Sequence, residues 1–181
     1  MEPSRNPSAV MLDVNIAQRT LAARAMRPVR AFPSGSAAIA AGLVAGAVTL
    51  LLLEFLAISI YDESPWKIFR MMAAMVRGRE ALDPSDEFDA GLVAIGLALH
   101  FAFAMLYSLA LACLIADLPR AYAGLAGALF GIALYYANFY GFAALFPWFI
   151  SHRTVDTLVV HAVFGGLVAR GYWQFVQSPD R

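Results

Sequence analysis

The sequence predicts an all-α fold: a four-helix transmembrane bundle with a short amphipathic interfacial helix between spans 1 and 2. Three observations carry that prediction. Of 181 residues, 61% are hydrophobic and 14% charged, against about 25% charged in an ordinary soluble domain. The mean hydropathy is +0.66. Apolar stretches recur over 37–60, 91–116, 121–148 and 155–176, each near or above the roughly 20 residues that cross about 30 Å of hydrocarbon. No water reaches the backbone at that depth, so each stretch has to be a helix.

Residues 1–36 form a basic tail with Arg5, Arg19, Arg24, Arg27 and Arg30 against Glu2 and Asp13. Val10, Val14, Ala17 and Leu21 recur at helical spacing, which fits a basic surface helix on the membrane; a disordered cytoplasmic tail fits equally. Pro28, Pro33 and Gly35 end the pattern. The apolar run that follows has a spanning length rather than that of a signal core.

In the next segment Ser64 caps and Pro65 opens a helix over 65–77 that Gly78 closes. Ile68, Met71, Met72, Met75 and Val76 form its apolar face, and Lys67, Arg70 and Arg77 a basic stripe. Too short to cross, it is expected in the outer interface with Trp66 at headgroup depth. Asp83, Asp86, Glu87 and Asp89 lack the spacing and central glycine of a calcium loop and read as a solvated stretch.

Stretch 122–148 carries no charge and organises the chain, with small residues at its start and Tyr135, Tyr136, Asn138 and Tyr140 toward its end. Four spans put both termini on one side. Eight arginines fall on that side and five basic residues, Lys67, Arg70, Arg77, Arg79 and Arg153, on the other, so the termini are expected in the cytoplasm. Residues 177–181 form a C-terminal tail.

A weak repeat relates two hairpins. Gly42 and Gly46 of span 1 match Gly127 and Gly131 of span 3, where small residues let backbones approach. His100, Phe103, Ala104 and Ser108 match His161, Phe164, Gly165 and Ala169. Such a repeat has its axis along the membrane normal. Two ordinary hairpins account for the same residues.

Polar groups at membrane depth need a partner or a purpose. Glu54, His100, Asn138 and His161 all fall in the outer half of their spans, and with Tyr107 and Tyr135 they form the candidate site for a proton, an ion or a small ligand. In the plainer reading Glu54 snorkels outward or pairs with Lys67 or Arg70, and the histidines bond to Tyr107, Asn138 or a carbonyl as interhelical glue. Two imidazoles and Glu54 suit a divalent metal, and two facing histidines with Ala104, Ser108, Gly165 and Gly166 leave room for haem b; no cofactor is favoured over none. His152 reads as an exposed loop imidazole. The competing class is a non-catalytic packing or partner subunit of a membrane complex or a homo-oligomer.

Several classes drop out. Zero net charge without a basic run gives nucleic acid no foothold. Cys113 is alone, which excludes an intramolecular disulfide. No nucleophile elbow, phosphate loop or zinc-protease motif is present, so catalytic residues are not expected.

The runs Ser64-Pro65-Trp66-Lys67-Ile68-Phe69-Arg70-Met71-Met72-Ala73-Ala74, Asn138-Phe139-Tyr140-Gly141-Phe142 and Phe146-Pro147-Trp148-Phe149 resemble a family of small bacterial four-span membrane proteins that carry the label sodium:proline symporter. The similarity runs over 42–172. Genuine sodium/solute symporters have many more spans in inverted repeats, so the resemblance implies a bacterial inner-membrane protein of unassigned activity and transfers no catalytic residue.

Overall fold

The computed structural model describes residues 33–82 and 87–176. The expected tails therefore lie outside the described residues, apart from 33–36, and so do Asp83 and Asp86. Among the described residues every regular element is helical.

Helix α1 spans Gly35–Ser59, and Ser34 Oγ accepts its Ala37 amide at 3.3 Å as an N-cap. Its inner face is Ala37, Ala38, Ala41, Gly42, Ala45 and Gly46, while Val44, Leu51 and Phe55 point outward. This inverts the soluble pattern, because lipid gives helices no hydrophobic reason to associate and close packing of small residues has to do so. Helix α2 covers Lys67–Arg77 and stops at Gly78, whose φ of +90° suits glycine. It starts two residues after the expected 65, because Ser64 caps a preceding turn at the Trp66 amide.

Helix α3 is Ala90–Ile115, with Asp89 Oδ1 accepting from Gly91 and Leu92 at 2.8 and 3.0 Å. Helix α4 is Arg120–Tyr136 and continues as a π turn over Ala137–Gly141 and a 3₁₀ turn over Phe142–Ala144. The expected span 121–148 thus ends early and irregularly. Pro147 supplies no amide and opens a separate 3₁₀ segment, Pro147–His152. Helix α5 is Val155–Val176.

Three helical stretches, Gly35–Ser59, Ala90–Ile115 and Arg120–Ala144, are long and apolar enough to cross a membrane. The chain is a helical, multi-pass membrane protein. Helix α5 carries Asp156, His161, Arg170 and Gln174 and lies between α1 and α4, while α1 also packs on α3. The contact of α3 with α4 is slight.

The repeat appears in the contacts themselves. A Cβ on Gly42 would meet Ala104 O at 2.8 Å and Ser108 Cβ at 2.7 Å. On Gly127 it would meet the matching Gly165 carbonyl and Ala169 Cβ. Gly46 faces Ala104 and the Phe101 ring, and Gly131 faces the His161 carbonyl and Ala162. Each Gly-x-x-x-Gly therefore seats the next helix in the same way. The symmetry stops there, since α1 packs broadly on α5 but its counterpart α4 barely touches α3. Where the hairpins part, a cavity forms.

Candidate functional site

The cavity has a volume of about 170 Å³ and is lined by α1, α3, the α4–π segment, α5 and, as a roof, α2. Most of its wall is apolar, from Met71, Met72, Met75, Phe103, Phe139 and Phe164. The polar groups are Thr49, Tyr107, Asn138, Thr157 and all three histidines of the chain, His100, His152 and His161.

Three of these groups form a directed chain. His161 Nδ1 lies 2.8 Å from Thr157 O, and a carbonyl only accepts, so Nδ1 carries the proton and Nε2 the lone pair. The Asn138 amide then donates to Nε2 across a long 3.5 Å. Its oxygen accepts from the Tyr107 hydroxyl at 2.8 Å. The chain bridges the sparse α3–α4 seam and ends on α5. The π turn displaces residue 138 from regular helical phase; such bulges concentrate at functional sites.

His100 donates from Nε2 to Gly46 O at 3.0 Å, leaving Nδ1 as an acceptor. Both span histidines are thus interhelical links as well as cavity walls. Phe139 meets the His161 ring edge-on at 5.4 Å. Tyr135, another expected site residue, is buried and packs on that ring with centroids 6.1 Å apart, but it does not line the cavity.

Glu54 does not line the cavity either. Its Oε1 is buried without a hydrogen-bond partner among the described residues. The expected partners are engaged elsewhere: Lys67 pairs with Glu63, and Arg70 Nη2 donates to Glu87 O at 2.7 Å. Arg70 is therefore buried rather than part of a solvated stripe.

Among the described residues no three His, Cys, Asp or Glu side chains gather into a metal-binding group, so Glu54 does not complete one with His100 and His161. Three of the four small residues proposed to make room for a porphyrin are spent on helix contacts, while Gly166 faces open space away from the cavity lining. Ala104 and Ser108 press on Gly42, and Gly165 presses on Gly127.

The roof is fastened at both edges. Trp148 Nε1 donates to Met71 O at 3.0 Å, and His152 Nε2 lies 3.2 Å from Met71 Sδ. Gly96 lets α2 settle on α3, since a Cβ there would come within 2.6 Å of Phe69 O. His152 is consequently half-buried, not an exposed loop group, and burial is the main cause of its lowered pKa. At the same end Asp156 accepts a hydrogen bond from Tyr61 and raises the pKa of its hydroxyl. Thr49, His152 and Thr157 line the cavity, and the sequence did not single them out as candidates for it. Their roles depend on partners in the folded bundle, and only the position of Thr157 four residues before His161 gave a local signal.

An apolar chamber with a few convergent polar groups is the arrangement of a small-molecule site. Spare capacity exists: Tyr107 Oη, one Asn138 N–H and His100 Nδ1 have unused bonding positions beyond the contacts described. The chain matches no protein-family model, no curated protein and no solved structure.

Proposed function

We propose that this is a bacterial inner-membrane protein that binds a small, largely apolar molecule with one hydrogen-bonding group in the cavity beneath α2. In this reading all four long helices cross the bilayer, the termini are cytoplasmic and α2 lies in the outer interface. The observation that carries the binding role is the Tyr107–Asn138–His161 chain at the wall of an otherwise apolar cavity. The helix lengths, the charge asymmetry and the resemblance to four-span bacterial proteins support the setting.

A cavity near 170 Å³ is comparable to the roughly 150 Å³ that holds benzene in an apolar core. Phenol adds the single hydroxyl that the spare Asn138 N–H would meet. In nanodisc-embedded protein, phenol is expected to bind more tightly than benzene by calorimetry or ligand NMR. Asn138→Leu is expected to erase that preference, about tenfold for one hydrogen bond.

A specific observation favours a second reading, the non-catalytic packing or partner subunit. Tyr107, Asn138 and His161 already satisfy one another across three helices. If neither probe binds, while Asn138→Leu lowers thermal stability, helix joining is the whole role of these groups.

A further inference from the structure

At the opposite end of the bundle, the start of α4 and the second half of α5 border a separate, open hollow of about 370 Å³. Among the described residues its lining includes Arg120 and Arg170 and no acidic residue. The Arg120 guanidinium carbon sits 5.1 Å from the centroid of the Trp173 ring, and both residues line the hollow.

The floor is shaped by two glycines. A Cβ on Gly124 or Gly166 would meet nothing within 4 Å, although Gly127 and Gly165 nearby are pressed into contact. The α4–α5 pair is therefore tight at one level and leaves an open shelf beside it.

We propose that this hollow binds the phosphate of an anionic glycerophospholipid, with Arg120 and Arg170 on the headgroup and the Gly124–Gly166 shelf against the start of an acyl chain. Guanidinium forks match phosphate oxygens in geometry and charge. The indole of Trp173 has the amphipathic character of residues found at headgroup depth. Two arginines and no acid among the described lining residues favour a net-negative lipid over a zwitterionic one. Basic hollows between membrane helices are a recurrent way of holding acidic headgroups. A free phosphate ion offers the same head chemistry and makes no use of the shelf.

The test uses the full chain, delipidated in non-ionic detergent, with binding read by native mass spectrometry. Phosphatidylglycerol is expected to bind at least about tenfold more tightly than phosphatidylcholine. The preference should disappear in the Arg120→Gln/Arg170→Gln double variant. Gly166→Leu retains both guanidiniums and occupies the shelf, and it is expected to weaken phosphatidylglycerol by about the same factor. If the double variant does not fold, Arg170→Gln alone and Gly166→Leu carry the comparison. Equal binding of the two lipids, or indifference to the arginine changes, overturns the proposal. Inorganic phosphate competing as well as phosphatidylglycerol, with Gly166→Leu without effect, also overturns it and assigns the hollow to a soluble anion.

Discussion

His152 shows how a loop residue becomes part of a membrane cavity. Its ring meets the Met71 thioether, and burial, the largest influence, lowers its pKa; Glu63 opposes this and Lys67 adds to it. An unfolded chain holds this histidine near the ordinary value of about 6.5. Below that pH the unfolded state takes up a proton that the folded state resists, so stability is lost as pH falls and is fully present above it. Thermal unfolding in detergent is expected at a lower temperature at pH 5.5 than at pH 7.5, with a smaller difference in His152→Gln. An undiminished difference in that variant would reject the role given to His152. At this scale the sequence was readable where chemistry alone identifies a residue. His100, Asn138 and His161 stood out because polar groups are costly in a membrane segment. Glu54 stood out for the same reason, yet its place away from the cavity depends on helix rotation, which a nearly uniformly apolar helix hardly encodes. Arg70 and His152 were misread because a helix and a loop that look surface-bound turn inward over the roof.

Between elements, glycine positions divide into those that the packing fills and those that it leaves open. Gly131 faces the His161 carbonyl, so a single methyl there has to push backbone aside. Gly166 faces open space. Gly131→Ala is expected to destabilise the protein by at least about 2 kcal/mol through overpacking. Gly166→Ala should be neutral or stabilising by up to about 1 kcal/mol through helix propensity. Parallel melting curves check the contrast; equal effects would show that the close approach of α4 and α5 is not what stabilises this pair. The hairpins were legible in sequence because small residues at four-residue spacing are a packing signal on one helix face. The break after Tyr136 was not. No proline or charge lies at the π turn, and a single register slip leaves no composition signature.

For the whole molecule, the sequence conveyed the class, while the assembly depended on a choice between hairpins that their repeat makes nearly alike. The proposed orientation is checked with a cysteine at Glu80 in a Cys113→Ala background. A membrane-impermeant maleimide is expected to label it in intact cells, and labelling only after lysis would invert the topology. The unequal seams have a mechanical consequence. Separating either hairpin breaks glycine-seated backbone contacts, and lifting α2 breaks the Trp148 and Arg70 hydrogen bonds together. Parting α3 from α4 costs mainly the Tyr107–Asn138 bond and a few contacts. The weakest seam of the chamber wall is thus the α3–α4 side, and a single amide, that of Asn138, fastens it.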